Sequence, residues 1–138
     1  MALRREFLFG NEDTEYLNVN HPGWESILNG CQRWLLLNNF KIPAGYTIHE
    51  CTVAISIPAN YPSQPLDMAY FFPYIHRKDG QVIRQTDSSM IIDGKSFQRW
   101  SRHYSSQNPW IPDESNIATH IMAIRDWLDR ALEGQVVA

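Results

Sequence analysis

Between Trp24 and Phe72 short apolar stretches alternate with turn residues, and the pattern predicts four strands. Trp24 to Leu28 leads into Asn29-Gly30, and Cys31 to Phe40 leads into Pro43-Ala44-Gly45; Asn-Gly between two such runs signals a hairpin. Cys51, Val53, Ile55 and Ile57 then alternate with Thr52, Ala54 and Ser56, the period-two signature of a strand with one buried face. Met68 to Phe72 supplies the fourth strand of an antiparallel meander, closed by Pro58, Pro62 and Pro65 on one side and Pro73 on the other. From Asp113 to Leu132 the period changes to that of a helix. Ile117, Ile121, Ile124, Leu128, Ala131 and Leu132 fall on one face and Met122, Asp126, Asp129 and Glu133 on the other, so an amphipathic helix, capped by Asp113 or Ser115, covers the sheet. Residues 1–22 are polar and irregular apart from a short helix expected from Asp13 to Val19, with Asp13 as its cap. Between Tyr74 and Pro112 periodicity gives way to charge, Ser and Gly, with a second turn signal at Asp93-Gly94. A loop that long is uncommon in a compact domain and is often functional.

Strands first and a covering helix last give an α+β layer rather than a parallel sheet with crossovers. No repeat, low-complexity tract or linker divides the chain, so residues 1–138 form one expected domain: sheet over 24–72, loop over 74–112 and helix over 113–132. Twelve Lys+Arg against fifteen Asp+Glu leave a net charge of -3, which provides no global field for nucleic acid or an acidic membrane. The two cysteines, Cys31 and Cys51, suit a reducing compartment such as the cytoplasm better than a disulfide framework. The first residues read as neither signal peptide nor membrane span. Five scattered histidines show no paired-ligand spacing, so neither a metal nor a cofactor is expected.

The segment Ile55-Ser56-Ile57-Pro58-Ala59-Asn60-Tyr61-Pro62-Ser63-Gln64-Pro65 resembles the strand-loop signature of ubiquitin-conjugating enzymes, in which a strand ends in Pro and is followed by Tyr-Pro and a further Pro. Asn108-Pro109-Trp110-Ile111-Pro112, leading into the final helix, is similar to that family's Trp-x-Pro helix entry. The tract from Asp93 to His103 resembles a bacterial branch of the superfamily, generally encoded with ubiquitin-like proteins and activating enzymes. The resemblance covers Trp24 to Leu132 and implies a ubiquitin-conjugating-like fold, with a ubiquitin-like protein and an adenylating activating enzyme as partners. Tyr61, Pro62, Pro65, Trp110 and Pro112 are its structural motif, the prolines fixing how the chain leaves one strand and re-enters the next.

The departures from that family bear on chemistry. Its catalytic cysteine, which carries the modifier as a thioester, lies between the Gly-containing turn and the Trp, but no cysteine follows Cys51 here. Anchoring on Asp93-Gly94 places Phe97 at that position, whereas counting back from Trp110 places Arg102 or His103 there. The family's His-Pro-Asn has only partial counterparts, in Phe72-Pro73-Tyr74 and His76-Arg77-Lys78. Cys51, in phase with the apolar positions of its strand, reads as a small buried hydrophobe, and Cys31 has Arg33 as its near cation. Lys95, Arg99, Arg102 and His103 are interleaved with Phe97, Trp100 and Tyr104. Arg99, Arg102, His103, Phe97 and Trp100 are therefore the expected binding residues, for an acidic or C-terminal carboxylate tail rather than nucleic-acid bases. His103 is the best candidate for acid-base work and His120 is expected to be bonded inside the fold. The resemblance thus points to a non-catalytic adaptor or binding subunit of a bacterial ubiquitin-like modification pathway. The alternative is a divergent conjugating enzyme using Cys51, Cys31 or His103.

Overall fold

The computed structural model describes residues 2–133; residue 1 and residues 134–138 of the expected domain lie outside the described residues. The chain forms an α+β layer from helix α1 (Asn11–Asn20), strands β1 (Glu25–Asn29), β2 (Gln32–Lys41), β3 (Glu50–Ser56), β4 (Ala69–Phe72), β5 (Ser88–Ile92) and β6 (Lys95–Trp100), and helix α2 (Ile117–Arg130). The six strands pair antiparallel throughout, in the order β1-β2-β3-β4-β6-β5.

Strand alternation divides the apolar residues between two sheet faces. Leu35, Leu37, Val53, Ile55, Ala69, Phe71 and Trp100 point to the face covered by both helices, where they meet Leu17 of α1 and Ile117, Ile121, Ile124 and Leu128 of α2. Ile27, Trp34, Leu36, Ala54, Tyr70, Ile92 and Phe97 pack on the opposite face, with Trp34 edge-on to Tyr70 at 5.2 Å.

Four local expectations are corrected. The segment read as a loop over 74–112 contains β5 and β6, so the sheet gains two strands beside β4. They join through Asp93 (φ 54) and Gly94 (φ 75), the two left-handed residues of a type I′ turn, whose twist matches the strands it connects. The first hairpin turns through Gly30-Cys31 instead of Asn29-Gly30: Asn29 still pairs with Gln32, and Gly30 alone is left-handed (φ 66), which is the II′ pattern. Helix α1 begins after Gly10 with no side-chain cap, and Asp13 instead accepts the Tyr61 hydroxyl. Helix α2 is capped by Asn116, two groups being satisfied reciprocally: Asn116 Oδ1 accepts from Thr119 N–H, and Asn116 N–H donates to Thr119 Oγ1. Asp113 and Ser115 lie in the turn before it, where the Ser115 hydroxyl accepts from Ile111 N–H.

The irregular stretch between β4 and β5 is held from beneath. Buried Gln98 accepts from Ile75 N–H (3.0 Å) and donates to Ile75 C=O (3.2 Å), closing a two-bond bridge, while its oxygen also accepts from Trp100 Nε1. Such pairing satisfies backbone groups that a buried loop leaves without a ladder. Arg4 bridges Glu25 of β1 and Asp93 of the β5–β6 turn, and the guanidinium holds the Glu25 carboxyl down at about 2.

The type I′ turn makes Gly94→Ala informative. A Cβ there would meet no atom within 4 Å, so the cost is confined to the left-handed backbone. The substitution should lower stability by about 1–2 kcal/mol, read as a shift of the urea midpoint with unchanged slope.

Candidate functional site

Where the β4–β6 pair ends, the chain leaving β6 runs beside the residues that enter β4. Trp100 pairs with Ala69, Met68 N–H donates to Arg102 C=O at 3.1 Å, and the loop then crosses to α2. This alignment sets His103 Nδ1 2.8 Å from Asp67 Oδ1, with the His103 side chain 62% exposed. A carboxylate on Nδ1 fixes the tautomer and leaves Nε2 as the free nitrogen of a neutral ring, so the pair can accept or deliver a proton.

A second histidine lies on the other side of the same segment, in the core. His120 Nε2 donates to Met68 C=O at 2.9 Å; because a carbonyl only accepts, the proton is on Nε2 and Nδ1 accepts from the Tyr104 hydroxyl at 2.7 Å. Burial pushes the His120 imidazole down to about 4 and the Tyr104 phenol above its ordinary value, so both are neutral near pH 7. An aromatic series runs alongside: Tyr61 against Trp110 (6.2 Å), Trp110 against Tyr104 (5.3 Å), Tyr104 against His120 (5.7 Å) and His120 against Trp127 (5.5 Å). Trp110 Nε1 donates to Pro62 C=O at 2.8 Å, and the Tyr61 hydroxyl accepts from Ile117 N–H at 2.9 Å. Tyr61, Pro62 and Trp110 thus tie the proline loop to the start of α2, while Pro65 and Pro112 are exposed.

The expected binding tract does not form one surface. Residues 97 and 99 point to one sheet face and 98 and 100 to the other. Phe97 and Trp100 are 1% and 0% exposed, so both are core residues that cannot touch a partner directly. Arg99 packs on the face away from the helices, and its Nε has no partner among the described residues. Only Arg102 and His103 remain together at the surface. Arg102 lies 5.0 Å over the Trp100 ring, with Nη1 donating to Arg84 C=O (3.0 Å) and Ser101 C=O (3.2 Å). Trp100 therefore serves as the platform beneath that guanidinium. Asp67, 36 residues from His103, was missed because the alternation around Met68 carries no mark of a cross-chain partner.

The two thiols occupy other places. Cys51 is buried against the helix-covered core, and desolvation pushes its thiol up to about 12. Cys31 is exposed at the tip of the β1–β2 hairpin, three strands from β6, or about 14 Å at ordinary strand spacing. Among the described residues no group of His, Cys, Asp and Glu is placed to hold a metal ion, and no helix is long and apolar enough to cross a membrane.

Two measurements probe this arrangement. The folded state holds His120 neutral below the ordinary imidazole value, so the unfolded chain binds the extra proton first as pH falls. Stability should therefore decline as pH drops from about 6.5 to about 4, with a slope of at most about 1.4 kcal/mol per pH unit from this group. His21, also lowered by burial, adds in the same direction, whereas Glu25 acts only below its ordinary carboxylate range. His120→Gln, which keeps a donor for Met68 C=O, should flatten the slope between pH 4.5 and 6.5 relative to the parent, read by urea unfolding at each pH. Trp100→Ala should cost about 3–5 kcal/mol, and Trp110→Ala, from a half-buried ring, clearly less.

A family model described as prokaryotic E2 family E matches residues 9–131. The match covers most of the chain, and the chain belongs to that family. No curated protein and no solved structure matches it.

Proposed function

We propose that this member of the prokaryotic E2 family acts as a non-catalytic adaptor or binding subunit in a bacterial ubiquitin-like modification pathway. It engages a ubiquitin-like protein and an adenylating activating enzyme in the cytoplasm. The observation that carries the reading is the placement of the thiols. A thiol pushed up to about 12 under the helix-covered core is almost entirely protonated at pH 7, and the thiolate is the nucleophile in thioester chemistry. Cys31, at a hairpin tip, lies three strands across the sheet from β6, at the same end of the strands as the β6–α2 crossing. The surface left at that crossing is Arg102, His103 and Asp67, with charged donors on one side and an acceptor on the other, which suits recognition of an extended tail.

A second reading is favoured by one specific contact. His103 paired with Asp67 has the geometry of an oriented imidazole, so a divergent enzyme could use it for proton transfer during acyl transfer to an amine.

Incubation with the activating enzyme, the ubiquitin-like protein and ATP separates the cases. The adaptor reading expects no reductant-sensitive adduct, and unchanged pathway activity when Cys31 and Cys51 are both replaced by Ser, with the melting temperature followed in parallel. A thioester abolished by Cys31→Ser would overturn it. For His103→Ala and Asp67→Asn, the adaptor reading expects weaker calorimetric binding of the ubiquitin-like protein; lost turnover with intact binding would establish the enzyme.

A further inference from the structure

Beside the β6–α2 crossing, the loop over residues 77–84 and the last turn of α2 enclose a cavity of about 460 Å³. Four of the nine arginines in an otherwise acidic chain line it: Arg77, Arg84, Arg102 and Arg130. Two of them have carboxylates of their own. Arg77 forks onto Asp79 and donates to Ala131 C=O, closing the end of α2, and Arg130 pairs with Asp126 one turn back. The other two do not. Among the described residues no carboxylate lies within ion-pair distance of Arg84 or Arg102, and Glu133 is the one acid on the cavity's lining.

Arg102 is the informative member. It is drawn half into the protein, and of its five N–H donors only those on Nη1 are used, on two carbonyl oxygens. Tying down a loop accounts for that nitrogen and leaves the rest of the fork unspent. A guanidinium held in a partly dry cavity beside a second one, with no carboxylate at ion-pair distance among the described residues, is an arrangement that an anion relieves. Trp127 and Ile83 form an apolar wall in the same cavity, whose volume exceeds that of a bare ion and falls in the range of small-molecule sites.

We propose that this cavity is an oxyanion site for a phosphate group, with Arg84 and Arg102 as its ligands and Arg77 and Arg130 supplying background positive charge. Phosphate fits the guanidinium fork and its two charges match the two unpaired cations. The wall of Trp127 and Ile83 suits a phosphate carried on a small apolar body. The site shares Arg102 with the surface of the adaptor reading but adds Arg84, which that surface does not use, and it involves neither His103 nor either thiol.

The full chain is titrated with inorganic phosphate, with adenosine 5′-monophosphate, and with sodium chloride at matched ionic strength, followed by Trp fluorescence and melting temperature. The expected result is saturable binding of at least one phosphate probe above the chloride response, with Arg84→Gln, which changes an exposed side chain and keeps the backbone carbonyl that Arg102 uses, weakening it by about tenfold or more. Arg102→Gln should do the same if it folds. A tighter nucleotide identifies the ligand as a phosphate ester and an equal response identifies free phosphate. A response to phosphate no greater than to chloride, or binding unaltered by Arg84→Gln, would falsify the proposal. Ubiquitin-like protein binding, measured on the same Arg84→Gln sample, should be unchanged, so failure of this site and failure of the adaptor reading are separable.

Discussion

The structure depends on how helix α2 is seated on one face of the sheet. Burying Ile117, Ile121, Ile124 and Leu128 supplies the hydrophobic drive but leaves orphan N–H groups at one end of the helix and orphan carbonyls at the other. The chain satisfies both ends from elsewhere. Asn116 and Thr119 close a capping box, Tyr61 accepts the Ile117 N–H, Tyr46 donates its hydroxyl to Leu128 C=O at 2.6 Å, and Arg77 donates to Ala131 C=O. His120 pins the first turn through Met68. Apart from Thr119, which belongs to α2 itself, each of these partners comes from an irregular segment, so the bonds that seat the helix also order the loops.

That coupling explains why the β6–α2 crossing is shaped although it has no regular structure. Residues 101–116 cross from sheet to helix with few backbone bonds of their own, and their geometry is borrowed: Met68 holds Arg102, His120 holds Tyr104, and Pro62 holds Trp110. His103 meets Asp67 because the residues on either side of both are fixed. A site built this way loses its geometry when the core beneath it is disturbed, so substitutions at Trp100 or His120 act on the crossing without touching a ligand.

What could be read in advance followed from periodicity. The alternation around Val53 and Ile55 marks β3, and the helical spacing from Ile117 to Leu128 marks α2, because each element buries one face against a single core. The β5–β6 hairpin was hidden for the opposite reason. Its turn signal at Asp93-Gly94 is strong, but Met90 and Phe97 face one side, Gln98 and Trp100 the other, and Ser, Lys and Arg fill the remaining positions, so no apolar alternation survives. The same packing misled the reading of the aromatic tract, where Phe97 and Trp100 look like a binding surface in sequence yet belong to cores on opposite faces. The cap of α2 slipped from Asp113 or Ser115 to Asn116 because three capping residues stand within four positions, and only the reciprocal partner Thr119 distinguishes them. Asp67 could not be found locally, since its partner arrives through the sheet.

The thiols show how fold constrains chemistry. Cys51 pairs with Phe40 and shares its face with Val53 and Ile55, so the register that buries those side chains also buries its sulfur. Exposing it would require slipping β3 by one residue, which would turn Val53 and Ile55 toward the other face. Its elevated thiol pKa is therefore a consequence of the sheet, not an independent feature that a small loop movement could reverse. The β6–α2 crossing presents other chemistry, among it the His103–Asp67 pair and the Arg102 guanidinium, groups that bind, orient and exchange protons.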